Sequence, residues 1–576
     1  MRTRTTGLRG FVAIAAASVL VLGACGTSGG GGSNQAQTSP GFAECDQKPN
    51  ECNTGPTKQG GTITVALEKK IQNWNTIDAD GNTFETGLIN NAILQVPYHQ
   101  LPDNSVAWNK VLLKEEPKLV KDDPQTIQYK IKDEAVWNDG TPISAKDFIM
   151  YWKFTNGKDC PDCTPASTTG YELIDKVEGA DNDKTVNVTF KAGEKYPDWR
   201  GLFVLWPSHI AAQKGDLNTP AGLAAAFEFF KGTPTFSGGP YKFESYEKDV
   251  SVTLVPNDKY WGTKAKLDKI TFRIIEDQAQ QIPALRNREV QMLVSQPNAD
   301  MVTQVGSMAG VNYNLIAGPT WEHFDLNTKN AALADTELRK AIFTAVNRQE
   351  IIDKTVGPFF KKAAPLNNHF IMPGAPSYKD VITPTGQGAG NIEAAKKILT
   401  DAGYKIEGGK LIGKNGQPVP TLRFRYTTGN QLRQQTGELL QAQLKQIGVD
   451  VKIEPLTSLG NTLSTGDYDI IIFAWVGTPF IADSKSIFET DGGQNYGKYS
   501  NPQVDKLLAD GAKELDPAKL RDSFNQADEI MSKDAYVLPL YQKPVFIAVY
   551  SDYVYIRNNP TAEGQTYNID EWALKA

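Results

Sequence analysis

Histidine is scarce: the 576 residues hold only four. They are His99, His209, His323 and His369, and no two form an H-x-x-x-H pair. A histidine-ligated zinc hydrolase therefore has little to build on. Cysteine is also rare, with five in the chain. Neither charge dominates, since 60 Lys and Arg stand against 66 Asp and Glu for a net charge of −6. That balance shows no basic excess pointing to nucleic acid, and no nucleic-acid partner is expected. Nowhere does an apolar run reach the roughly 18 residues of a membrane-spanning helix. No internal repeat is present. What remains is ordinary: 40% hydrophobic and 22% charged residues. This composition excludes global disorder, collagen and coiled coil. The length exceeds that of one compact core, because domains usually hold about 100–150 residues.

The N-terminus carries the densest short signal. Arg2, Arg4 and Arg9 form a basic region, followed by the mostly apolar stretch 11–22. That stretch is too short to span a bilayer and reads as an export signal. It ends Leu22-Gly23-Ala24-Cys25-Gly26, which resembles a bacterial lipobox. Small residues precede the cut, and the thiol of Cys25 would receive a diacylglyceryl group. Residues 1–24 are thus expected to be a lipoprotein signal peptide. Residues 25–60, rich in Gly, Ser, Asn, Gln, Thr and Pro, are expected to be a flexible tether reaching about 30 Å. Gly26-Thr27-Ser28-Gly29-Gly30 matches G-x-S-x-G in letters only, with no strand before it and no helix after it.

Cys45, Cys52, Cys160 and Cys163 remain. Export into oxidising surroundings favours disulfides, and proximity in sequence pairs Cys45 with Cys52 and Cys160 with Cys163. Cys160-Pro161-Asp162-Cys163 is also a C-x-x-C, open to a redox role or half a zinc site. No second ligand pair completes that zinc site, and no metal or cofactor is expected.

Local patterns point to α/β architecture. Ile63, Val65 and Leu67 alternate as in a strand, and so do Ile127, Tyr129 and Ile131. Ser144-Ala145-Lys146-Asp147 has the form of a capping box opening a helix whose Phe148, Ile149 and Trp152 share a face. Helices over 391–402 and 431–447 each end at a glycine, Gly403 and Gly448. Val449, Val451 and Ile453 alternate. The apolar run 468–475 reads as a buried parallel strand.

At residues 137–147 (WNDGTPISAKD) the sequence resembles the extracellular solute-binding proteins of family 5, the oligopeptide-, dipeptide- and nickel-type receptors of ABC importers. Further matches follow in the family's order. They are 238–241 (GGPY), 257–262 (NDKYWG), Asn327 before 338–342 (LRKAI), and 346–350 (VNRQE). Then come 394–399 (AAKKIL) with 402–404 (AGY), Asp467-Tyr468-Asp469 before Trp475, and 538–541 (LPLY). One departure is Leu285 to Gln291 (LRNREVQ), which lacks the family's glycine and aspartate. The resemblance implies a two-lobed fold of the large three-domain, type II periplasmic-binding-protein form, with hinge strands between lobes. Domain I would comprise 61–105, 232–325 and 536–576. Domain II would be an insertion of 106–231, and domain III would be 326–535.

The same resemblance implies an interlobe cleft. Peptide-binding relatives place an aspartate after the equivalent of Trp475, in W-x-x-D, to pair with the ligand's ammonium. Here Trp475-Val476-Gly477-Thr478 puts a threonine there. A hydroxyl accepts a hydrogen bond but does not neutralise a buried cation. Candidate replacements are Asp483, five residues beyond Thr478, and Glu322 in Trp321-Glu322-His323, near the crossover into domain III. Trp475 is expected to wall the cleft, with Gly477 and Thr478 beside it. Trp137 and Trp261 read as structural. No catalytic residue is expected, because nucleophile, base and orienter are not found together. The expected function is a lipid-anchored, monomeric receptor on the outer face of the cytoplasmic membrane. It would capture oligopeptides by hinge closure and pass them to ABC permease subunits. The alternatives are a sugar or metal chelate as solute, or an exported hydrolase.

Overall fold

The computed structural model describes residues 38–576. The expected signal segment, Cys25 and the glycine-rich run lie outside the described residues. A single ten-stranded sheet forms the backbone of the fold. Its order is Val451–Leu456, Leu422–Thr427, Ile470–Val476, Val311–Leu326, Val537–Tyr550, Met292–Ser295, Thr62–Leu67, Lys269–Ile274, Ser251–Pro256 and Tyr241–Glu247.

Two long strands, Val311–Leu326 and Val537–Tyr550, join the halves of this sheet. They run antiparallel, from Val311 opposite Tyr550 to Asp325 opposite Val537. At one end, Phe546 to Val549 also pair with Met292–Ser295. At the other end, Thr320 to Leu326 pair with Ile470–Val476. Between these ends the register slips from Ala317 to Trp321, at Gly318-Pro319-Thr320. Pro319 has no N–H to give, and Pro544 faces Ala317 across the slip. Prolines in a central strand are confined to such bulges. Gly318 is needed there because a Cβ would lie 2.6 Å from Val545. The weakest part of the ladder therefore sits where the sheet passes from one half to the other.

A second sheet is wholly antiparallel, in the order Lys118–Asp122, Gln125–Lys130, Thr185–Phe190, Ile174–Ala180. The helix Ala145–Thr155 contacts its outer strand. That helix opens with the expected capping box between Ser144 and Asp147. Asp147 is buried and also accepts from Ser208 N and Oγ, at 2.8 and 2.7 Å. Trp137 is fully buried and aims its indole N–H at the same carboxylate, 3.4 Å away.

The helices Ile392–Asp401 and Gln431–Lys445 form as expected, and Gly403 and Gly448 take positive φ just beyond them. The strand Ile470–Val476 is buried for most of its length. It is parallel to Leu422–Thr427 but antiparallel to Val311–Leu326, so it is only half the parallel strand expected. Residues 38–60 differ from expectation. They are not a free tether: Pro40–Asp46 forms a 3-10 helix, and Phe42 is fully buried. Thr57–Lys58 pairs with Ala573–Lys575. Burying Phe42 contributes about 2–3 kcal/mol, ample reason for this stretch to dock. Disulfides link Cys45 to Cys52 and Cys160 to Cys163.

Arg288 adopts φ +59°. Its guanidinium lies 3.9 Å from the Tyr550 ring centroid and 3.4 Å from Asp552. These contacts offset the unfavourable backbone of a side chain in the left-handed region.

Candidate functional site

A cavity of about 740 Å³ opens beside the crossover. One wall is built from the end of the strand Thr62–Leu67, with Glu68 and Lys69, and from the helix Phe84–Asn90. Residues 200–204, Arg200 to Val204, form a second wall. Thr320, Val476 and Phe480 close the third. Val476 is the most exposed large apolar side chain of its strand, at 63%. A second cavity, about 770 Å³, is lined by Glu322, Lys354, Arg433, Tyr541 and Lys543. Gln296 and Pro544 line both.

The polar groups of the first wall are incompletely paired. Glu85 and Asn90 are buried, yet Glu85 Oε2 and Asn90 Oδ1 have no hydrogen-bond partner. Glu85 Oε1 lies 3.7 Å from Lys69 Nζ, whose side chain is 72% exposed. Glu68 accepts from Gln278 Nε2 at 3.1 Å and Gln296 N at 2.9 Å. Burial raises the Glu68 pKa above the ordinary carboxylate value, and the charge of Glu85 adds to this. His99 is held 3.0 Å from Glu563. Arg200 lies over the rings of Trp199 and Tyr98, at 4.4 and 5.9 Å.

The residues expected from sequence stand elsewhere or are occupied. Trp475 stacks between His323 and Tyr496, with centroids at 6.0 and 5.9 Å and planes within 7°. It is half-buried and lies outside the linings of both cavities. Thr478 Oγ1 accepts from Phe480 N at 3.1 Å and shapes the turn. Gly477 donates to Pro319 O at 3.0 Å, and a Cβ there would sit 2.5 Å from the same oxygen. Trp321 is a core side chain packed with Leu366, Phe370 and Phe488. Glu322 is buried in a bidentate pair with Arg433, at 3.1 and 3.0 Å, and lies 3.7 Å from Lys543. Burial lowers the Lys543 pKa. His323 is fully buried with neither ring nitrogen bonded. Burial holds it well below its ordinary pKa, so it is neutral. Among the described residues, no group of three His, Cys, Asp or Glu could hold a metal ion.

Asp483 joins two walls. Tyr196 donates to Asp483 Oδ1 at 2.7 Å. Nearby, Ala482 N donates to Asp198 Oδ2 at 2.6 Å, and Lys513 pairs with Glu194 at 2.9 Å. Phe480 lies against Gly201, where a Cβ would come within 3.0 Å of the ring. Thus 194–201 and 480–513, far apart in sequence, meet beside the cavity. Burial, with the charge of Asp483, pushes the Asp198 pKa up to about 8. Burial pushes Asp483 up to about 6, although the Tyr196 bond lowers it.

Sequence reasoning did not find Glu68, Glu85, Asn90, Val476 or Phe480. Val476 lies within the segment that was singled out, and Phe480 lies two residues beyond it. Nothing in the local pattern of residues 82–91 (NTFETGLINN) distinguishes Glu85 from a surface carboxylate.

Residues 111–498 match the family described as bacterial extracellular solute-binding proteins, family 5 middle. The chain belongs to that family, and with it to the solute-binding proteins of ABC transporters. The oligopeptide-binding protein OppA of Mycobacterium tuberculosis (strain ATCC 25618 / H37Rv) is 31% identical over 512 residues. The alignment covers 87% of this chain and 83% of OppA. A lipoprotein of the same strain is 24% identical over 497 residues, covering 79% of this chain and 83% of that one. Among solved structures, the periplasmic EDTA-binding protein EppA superposes with a TM-score of 0.86 at 32% identity. That match covers 92% of this chain and 99% of EppA. The protein therefore has the two-lobed, multi-domain α/β architecture of the family. The family is one of extracellular proteins. No helix among the described residues is long and apolar enough to cross a membrane.

Proposed function

We propose that the protein is a lipid-anchored receptor that captures oligopeptides in the 740 Å³ cavity and delivers them to the transmembrane subunits of an ABC importer. The observation that carries this reading is a cavity bounded from both sides of the strand crossover. Hinge motion would take place at Gly318-Pro319-Thr320 and at Pro544 opposite. Three domains would move as two lobes, with 61–105, 232–325 and 536–576 plus the insertion 106–231 against 326–535. Solute drives closure only by binding the closed form more tightly than the open one. The likeness to OppA supports a peptide. The anchor would be Cys25, supported by the lipobox and by the related lipoprotein. Two acyl chains at about 0.8 kcal/mol per buried CH₂ hold a protein at a membrane. The protein would act as a monomer at the outer face of the cytoplasmic membrane.

A metal chelate is the second reading, favoured by the likeness to EppA. Native mass spectrometry of the detergent-solubilised protein separates the two. Peptides released on activation, together with a chain starting at a diacylglyceryl-modified Cys25, are the expected result. A released chelate replaces the peptide reading, and a chain without lipid removes the anchor.

A further inference from the structure

We infer that the cavity binds a primary ammonium of its solute between Glu85 and Asn90, on the wall opposite the one where relatives place their aspartate. This rests on the solute-receptor reading and names the chemistry of its site. A peptide brought out of water must have its ammonium neutralised. Thr478 carries no charge and is used in its own turn. Glu322 is saturated by Arg433. Asp483 accepts from Tyr196. Thr478 and Glu322 are not available, and Asp483 has one oxygen taken.

Glu85 and Asn90 lie at the start and end of one helix, line the cavity, and are only 5% and 3% exposed. Each holds an acceptor oxygen with no partner, Glu85 Oε2 and Asn90 Oδ1, both shielded from solvent. Buried polar atoms in native proteins are nearly always satisfied, and exceptions call for a missing partner. Two orphan acceptors call for a donor. An ammonium supplies three donors and no acceptor, whereas a carboxylate or chelate supplies the opposite. The charge suits as well. Glu68 adjoins Glu85, and the one cation paired with Glu85 among the described residues is the largely exposed Lys69, 3.7 Å away. Asn90 Nδ2 donates to Trp74 O at 3.0 Å, which fixes the amide with its oxygen unspent.

The test uses the full chain in detergent, stripped of solute with mild denaturant. The probes are a random pentapeptide library free of lysine and arginine, and the same library N-acetylated. Wild type is expected to retain the free-amine library at least about tenfold better, since a hydrogen-bonded charge carries that much. Glu85→Gln, which keeps the shape, should abolish the preference without lowering the melting temperature. Equal retention of both libraries by wild type overturns the ammonium site and leaves the peptide reading standing. A preference that survives Glu85→Gln does the same. Loss of preference with a lower melting temperature makes Glu85 a structural carboxylate and also overturns the site. Retention of neither library defeats the peptide reading, and putrescine then decides the site. A rise in melting temperature with putrescine that Glu85→Gln loses supports the site, and no rise in wild type overturns it.

Discussion

Two walls face the cavity and treat their polar groups differently. On the side of residues 470–484, Thr478 and Asp483 have partners, and Glu322 in the neighbouring strand holds Arg433. On the side of residues 67–90, Glu85 and Asn90 each keep an oxygen unbonded. The difference separates groups that hold the protein together from groups that wait for a solute. A saturated carboxylate stabilises the fold and offers nothing to a ligand. An orphaned one weakens the empty protein and gains when the cavity fills. The family position of a residue therefore does not decide its role; its pairing does.

The largest effect on the saturated side is expected from Glu322→Ala. It leaves Arg433 and Lys543 without their carboxylate, and breaking a buried pair from one side costs about 3–5 kcal/mol. Denaturant unfolding should show the loss, and unchanged stability would put Glu322 back among the available carboxylates. Next comes Trp475→Ala, which removes a half-buried ring from between His323 and Tyr496. A loss of about 2 kcal/mol is expected, below the range for fully buried tryptophan. Solute retention should stay within twofold, on the order of normal scatter for residues outside a site. A tenfold fall in retention would restore Trp475 to the cleft.

The contact between the walls sharpens the comparison through pH. Asp198 and Asp483, pushed up to about 8 and about 6, bind protons more readily in this contact than in water. Glu172 adds to the shift of Asp483, while Arg200 and Arg521 oppose that of Asp198. A carboxylate whose pKa is raised by closing makes closing take up protons. The contact is therefore strongest below the ordinary carboxylate pKa of about 4 and weakens as pH rises towards 8. Distances between spin labels on the two lobes should show more closed protein at pH 5 than at pH 8.5. A flat profile would mean that both carboxylates stay solvated. The smallest effect belongs to Arg288→Gly. Relief of the positive φ and loss of the Tyr550 contact oppose each other, each worth about 0.5–1 kcal/mol, so thermal unfolding should barely move.

Much of the fold was legible because its signals are local. The Ser144–Asp147 capping box, the helix-ending Gly403 and Gly448, and the apolar strand ending at Trp475 each lie within a few residues. Docking of residues 38–60 was not legible. Phe42 is buried by residues hundreds of positions away, as the bond from Ser39 N to Tyr313 O illustrates. The site was legible to its neighbourhood only. Residues 475–483 do border the cavity, through Val476 and Phe480. Yet Glu322 finds Arg433 across 111 residues and Asp483 finds Tyr196 across 287. Whether a carboxylate is spent or spare is a property of such distant pairs.

The most direct measurement is a crystal structure of the protein with the solute that co-purifies with it. The account predicts density in the cavity lined by Glu68, Glu85 and Asn90, with a solute nitrogen within hydrogen-bonding distance of Glu85 Oε2. Density centred on Glu322 and Arg433, or a solute whose charged nitrogen faces Asp483, would contradict it.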